Sequence, residues 1–126
     1  MARILVIDDS ATAIQRAKIV LGRAGHQVEA LEMMIYLGRV FRQNPPDLVL
    51  LDLRMPALSG VACGRLIRRF QDRPIPIVVH SSQAEDELVL AANEVGAAGC
   101  VRKDDSDEIL VETVNRALAD AAGRGA

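Results

Sequence analysis

Five short apolar runs recur along the chain, each followed by residues at helical spacing, and this alternation restricts the fold more than any other feature. Residues 3–7 (RILVI) read as a first strand that stops at Asp8-Asp9-Ser10. Over 11–24, Ile14, Ala17, Lys18 and Leu21 fall at helical spacing, with Gly25 as the stop. A weaker strand, 27–31 (QVEAL), precedes a Met- and Leu-rich helix that Asn44-Pro45-Pro46 ends. Residues 48–51 (LVLL) are apolar throughout, as a parallel strand buried on both faces requires, and they stop at Asp52. After a Met55-Pro56 loop, Gly60 opens a helix carrying Cys63, Leu66, Ile67 and Phe70. Pro74 and Pro76 frame the entry to a fourth strand, residues 77–80 (IVVH). Ser82 and Glu85 have the spacing of a capping box, with acidic residues in the first helical turn. Gly96 and Gly99 turn the chain into a fifth strand (CVR), and residues 105–108 open a last helix with Ile109, Leu110, Val114 and Leu118 expected on its inner side.

Five βα units in so short a chain need a parallel sheet covered on both faces and joined by right-handed crossovers. Of the two simple doubly wound orders, the flavodoxin-like one needs only five strands, which gives an expected order of 2-1-3-4-5 with five helices. A length of 126 residues fits one domain, expected over 1–122, with 123–126 as a frayed tail. Output is then expected to pass through a partner protein or a domain outside these residues.

Half the residues are apolar, a quarter are charged, and the net charge is −2, an ordinary balance for a globular domain. The slightly acidic balance argues against direct nucleic-acid binding. No apolar stretch approaches the ~20 residues needed to span a bilayer, and Asp8-Asp9 interrupts the only early apolar run, so neither membrane insertion nor a signal peptide is expected. Cys63 and Cys100 lack metal-ligand spacing and read as two buried thiols of a cytoplasmic protein. Tyr36, Phe41 and Phe70 are the only aromatics, so Ile, Leu, Val, Ala and Met must build the core.

Ligands of such sheets sit beyond the carboxyl ends of the strands. Strand one ends there in Asp8-Asp9, strand three in Asp52, strand four in Ser81 and strand five in Lys103. Close carboxylates repel at roughly 3–4 kcal/mol per pair for an effective dielectric near 20, which a hard dication relieves. All-oxygen ligands with room for water suit Mg²⁺, or Mn²⁺, over Zn²⁺. One carboxylate could then attack a phosphoryl donor while Lys103 neutralises the equatorial oxygens and Ser81 donates a hydrogen bond to the product. Lysine occurs only at 18 and 103 against 13 arginines, so Lys103 is not an incidental cation. His80, in an apolar strand, is expected to be packed and hydrogen-bonded, and Arg65, Arg68 and Arg69 to form a solvated face.

In order along the whole chain, ILVIDDS, DLVLLDLRMP, VVHSS and GCVRK resemble the receiver domain of two-component response regulators, in particular the chemotaxis-regulator type. The resemblance implies that Asp52 is the phospho-acceptor. It implies a metal site of Asp8, Asp9, Asp52 and the main-chain carbonyl of Arg54. Ser81 takes the switch-hydroxyl position and Lys103 that of the phosphate-contacting lysine. It also implies a sensor histidine kinase as donor, a downstream protein partner, an output surface on helix four, strand five and helix five, and no catalysis beyond the domain's own phosphorylation and dephosphorylation. Four positions depart from the family pattern. Asp104 stands where proline usually follows the lysine, so the Lys103–Asp104 peptide is expected to be trans. Cys100 replaces an aromatic residue and is too small to act as a lever. Arg54 and Gln83 occupy positions that the resemblance links to phosphoryl lifetime.

Two other readings compete. A constitutive scaffold would keep the site and lose the switch, as Cys100 suggests. A phosphohydrolase with an aspartyl nucleophile would need an acid/base Asp where Arg54 stands. On the second helix, Met34, Leu37 and Phe41 share a core face, while Met33, Tyr36 and Val40 form a stripe about 100° away. That stripe is expected to be a wider buried arc, or else a docking patch or weak homodimer contact.

Overall fold

The strand runs at 3–7, 48–51 and 77–80 carry apolar side chains to both sides, so they are stable only in a middle layer. A computed structural model of the chain describes residues 2–31, 33–54 and 59–124. Its strands are β1 (Arg3–Ile7), β2 (Gln27–Ala30), β3 (Leu48–Leu51), β4 (Ile77–Ser81) and β5 (Gly99–Arg102). Its helices are α1 (Ala11–Arg23), α2 (Leu37–Gln43), α3 (Gly60–Phe70), α4 (Glu85–Val95) and α5 (Asp107–Arg124). The sheet is parallel throughout, in the order β2-β1-β3-β4-β5. This is the flavodoxin-like order expected from the sequence.

Alternation along the strands sorts the core into two faces. Ile4, Val6, Leu48, Leu50, Val78 and Val101 pack on α1 and α5 through Ala17, Val20, Leu21, Leu110, Val114 and Ala117. Leu5, Ile7, Val49, Leu51 and Ile77 pack on α2 and α3 through Leu37, Phe41, Cys63 and Ile67. Val79 meets Leu88, Ala92 and Val95 of α4. The register that pairs Ile7 with Leu51 places the next residues, Asp8 and Asp52, side by side at the carboxyl edge. One hydrogen bond fixes that step: the Asp52 N–H donates to the Ile7 carbonyl at 2.9 Å. Across the sheet, Ser81 pairs with Arg102, and the Lys103 N–H donates to the Ser81 carbonyl at 2.9 Å.

Caps set where the helices start. The hydroxyls of Ser10, Ser59 and Ser106 accept from the main-chain N–H of Ala13, Ala62 and Ile109. Gly25 and Gly96 end α1 and α4 at positive φ, 95° and 68°. No peptide bond among the described residues is cis, so Lys103–Asp104 is trans, as expected.

Several local expectations need correction. The Ser82–Glu85 capping box does not form: β4 runs on through Ser81 and α4 starts at Glu85, which puts Glu85 at the first helical position rather than the third. Ile109 is 44% exposed, because it lies about 100° from Leu110 on α5, and Ala117 takes the inner position instead. Helix α5 includes Gly123 and Arg124, since the alanines at 119, 121 and 122 carry helix propensity past the expected tail; residues 125–126 lie outside the described residues. Cys63 is buried but Cys100, on the edge strand β5, is only half-buried. Phe70, at the end of α3, is partly exposed and lies against Gly38 of α2, where an added Cβ would be 3.1 Å from the ring.

The chain enters α2 through a 3₁₀ turn, Met34–Tyr36. Leu37 and Phe41 are buried, and Met34 and Val40 are half-buried against the α2–α3 core. Met33 and Tyr36 are exposed, as is Ile35 at 79%. The wider buried arc therefore stops at Val40, because the tight 3₁₀ turn rotates the earlier residues outward.

Candidate functional site

Four strand ends converge at the carboxyl edge. Asp8, Asp9 and Asp52 each offer a carboxylate oxygen, all within 4.8 Å of one another. Asp52 is only 3% exposed, Asp8 nearly as buried, and Asp9 is open to solvent. Two main-chain donors hold the buried pair: the Ser10 N–H donates to Asp8 Oδ1 at 2.9 Å and the Arg54 N–H to Asp52 Oδ1 at 3.0 Å. The Lys103 ammonium reaches Asp8 Oδ2 at 3.0 Å and Asp52 Oδ2 at 3.3 Å. One cation thus bridges two carboxylates, which leaves the third uncompensated.

Burial pushes the Asp52 carboxyl above its ordinary range, and Asp8 adds to this; the Arg54 N–H and Lys103 pull it back only in part. Burial works against the Lys103 charge, but the Asp8 hydrogen bond and the two negative charges outweigh it and the ammonium is held above its ordinary range. The site therefore contains a protonated lysine beside a carboxylate that is uncomfortable as an anion. Such a carboxylate gains from added positive charge, and the donor set, oxygen only and partly open at Asp9, fits a hard dication.

Ser81 is fully buried, one residue inside the edge, and its hydroxyl lies 3.4 Å from the donating Gln83 N–H. Arg54 comes to the site through its main chain, its side chain being exposed. The Met55-Pro56 loop lies outside the described residues. Cys100 sits with the small cluster of Val79 and α4, where burial, followed by Glu85 and Asp105, pushes its thiol up.

His80 corrects an expectation. It is packed on the strand face shared with Val78, but its Nε2 is buried without a hydrogen-bond partner. Burial, with Lys103 next, pushes its ring down to about 4, so it stands neutral. Sequence reasoning also missed Arg16. Its guanidinium donates to the main-chain carbonyls of Lys103 and Asp105 and pairs with Asp107. Nothing in its local sequence sets Arg16 apart from the other arginines, because every partner lies 87 to 91 residues away. Among the described residues no helix is long and apolar enough to cross a membrane.

Residues 4–115 match the family model for the response regulator receiver domain. The chain is 32% identical over 120 residues to the protein PilH of Pseudomonas aeruginosa, covering 94% of this chain and 99% of PilH. It is 35% identical over 127 residues to a protein-glutamate methylesterase/protein-glutamine glutaminase of Anaeromyxobacter dehalogenans, but spans only 36% of that longer protein. Among solved structures, a response regulator receiver domain protein of Clostridium thermocellum matches with a TM-score of 0.79 at 30% identity, covering 95% of this chain and 96% of that one. The chemotaxis protein CheY4 of Vibrio cholerae matches with a TM-score of 0.78 at 26% identity, covering 93% and 98%. With its sheet order, its acidic edge and a family match over nearly its whole length, the chain belongs to the receiver domains of response regulators.

Proposed function

We propose that the protein is a phosphorylation-controlled interaction module of a two-component pathway, acting in the cytoplasm, with Asp52 as phospho-acceptor and a sensor histidine kinase or a small phosphodonor as the source. The observation that carries this reading is the bridge of Lys103 to Asp8 and Asp52 beside a third carboxylate, Asp9. A carboxylate oxygen of Asp52 attacks the donor phosphorus, the bond to the donor breaks, and an acyl phosphate results. Asp8, Asp9, Asp52 and the main-chain carbonyl of Arg54 would hold Mg²⁺, or Mn²⁺ in its place, which would supply positive charge beside the transferring group. Lys103 exchanges its bond to the carboxylate for one to a phosphoryl oxygen, and buried Ser81 turns its hydroxyl to donate to another. Drawing Ser81 and Lys103 towards the phosphate, which carries about −2 charge, biases the surface of α4, β5 and α5 towards a partner-binding form. The protein's own phosphorylation and dephosphorylation are its only chemistry.

Incubation with Mg²⁺ and a small acyl phosphate should add one phosphoryl group, read by intact mass and located by peptide mapping at Asp52. An Asp52→Asn protein labelled as well as the parent would sink the assignment. The half-buried Cys100, with no aromatic ring to move, favours a second reading as a constitutive scaffold. Partner affinity unchanged by phosphorylation would select it.

A further inference from the structure

All three guanidinium nitrogens of Arg16 are engaged by a single short segment. Nη1 donates to the Lys103 carbonyl at 2.6 Å, Nη2 to the Asp105 carbonyl at 2.7 Å, and Nε to Asp107 Oδ1 at 3.0 Å. Those two carbonyls flank Asp104, whose own carboxylate reaches only Arg102, at 3.3 Å. The segment's other main-chain ties are Lys103 N–H to Ser81, Arg102 N–H to Asp105 Oδ2 and Asp105 N–H to the Arg102 carbonyl near its start, and the Ser106 cap of α5 at its end; none of them reaches α1. Arg16 is therefore the contact that fastens the β5–α5 loop to α1.

Helix α1 also fixes the other end of the site. Its capping residue, Ser10, donates its N–H to Asp8 Oδ1, two turns before Arg16 grips the loop. A lysine side chain has four rotatable carbons and little geometric preference of its own, so where its ammonium sits depends on where its backbone is held. The rigid guanidinium fork presents its donors on three separate nitrogens, one for each of these acceptors.

We propose that Arg16 is a positioning residue for Lys103: by clamping the carbonyls on either side of Asp104 to α1, it sets the ammonium against Asp8 and Asp52 and speeds phosphoryl acceptance. The inference rests on the phospho-acceptor reading above, and it assigns α1 the task of spacing Asp8 from Lys103.

The test is a double-mutant cycle on the full chain, following Asp52 phosphorylation by a small acyl phosphate with Mg²⁺. Arg16→Met should slow the reaction ~10-fold, the order expected when a catalytic group is displaced by a fraction of an ångström. In a Lys103→Met background the same substitution should slow it no further, although its effect on the thermal midpoint should persist. That split separates positioning from general support of the fold. If Arg16→Met does not fold, Arg16→Gln, which keeps one donor pair, enters the same cycle. Equal slowing in both backgrounds, or no slowing in the parent, overturns the clamp alone. A parent chain that accepts no phosphoryl group overturns the clamp and the functional reading together.

Discussion

Lys103 Nζ lies 3.3 Å from Asp52 Oδ2, a contact made across β4, since β3 and β5 flank that strand in the sheet. The lysine does not bring the Asp52 carboxyl down to its ordinary 3.8, because burial outweighs it. The folded protein thus binds a proton at Asp52 more readily than the unfolded chain does. Stability linked to this group is full below about pH 3.8 and is lost as pH rises through the raised value. Asp52→Asn should therefore raise the thermal midpoint at pH 7 by a few degrees in the presence of a chelator, while abolishing phosphorylation. The gain should fade as the pH falls through the raised value and be gone by about pH 3.8. A midpoint lower than the parent's at pH 7 would show that Asp52 stabilises the fold as an anion.

His80 works in the opposite sense. Its ring is pushed from 6.5 to about 4, chiefly by burial, so the unfolded chain takes up the proton first as the solution is acidified. The linked stability is present above about pH 6.5 and is lost as pH falls towards 4, by up to about 3 kcal/mol. Its unpartnered Nε2 adds a desolvation cost of about 1–3 kcal/mol at neutral pH. His80→Leu should be more stable than the parent at pH 7 by about 1 kcal/mol, and the advantage should widen at pH 5. Urea unfolding at the two pH values measures this; equal losses on acidification in both proteins would count against it.

The parts of the site that could be read in the sequence are those where a strand stops at a charged residue. Asp8, Asp52 and Lys103 each end an apolar run, and a parallel sheet brings such ends to one edge, so the constellation follows from strand order alone. What stayed hidden depends on contacts between distant segments. Arg16 reads as one more polar position of an amphipathic helix, and its role exists only once β5 has delivered Lys103 beside α1. The missing partner of His80 is equally a property of packing. The false capping box at Ser82 shows the reverse case, in which a good local pattern goes unused: β4 pairs through Ser81 with Arg102 and α4 starts only at Glu85, behind Ala84. Met33 and Tyr36 were ambiguous because the short 3₁₀ turn Met34–Tyr36 shifts a helical stripe from core to solvent.

Gly60 gives a test of how tightly the strand that ends at Asp52 is held. It opens α3 directly behind the Ser59 cap, and an added Cβ would lie 2.9 Å from the Leu53 Cα, next to Asp52. The Cβ would also strike the end of the Leu53 side chain, which can swing aside, but the Leu53 Cα cannot. Gly60→Ala should cost about 1–3 kcal/mol of stability and also slow the proposed phosphorylation, because relief requires moving the residue that follows Asp52. Chemical denaturation and the phosphorylation rate measured together check both arms. Lost stability with an unchanged rate would mean that Asp52 is insulated from its neighbour.

A substitution at Asp9 would separate the proposed metal binding from the fold. Lys103 pairs with Asp8 and Asp52, while the exposed Asp9 carboxylate adds a third negative charge within 4.8 Å of theirs. Removing it takes away repulsion and no core contact, so Asp9→Ala with a chelator should match or slightly exceed the parent's thermal midpoint. Added Mg²⁺ should stabilise the parent by an amount set by mass action, about 2.7 kcal/mol at 100 times the dissociation constant. The same Mg²⁺ concentration should give Asp9→Ala little or none of that shift, because one charged ligand has gone. The two thermal series, with and without Mg²⁺, are the measurement. An equal Mg²⁺ shift in both proteins would exclude Asp9 from the ligand set and leave Asp8, Asp52 and the main-chain carbonyl of Arg54 to hold the ion.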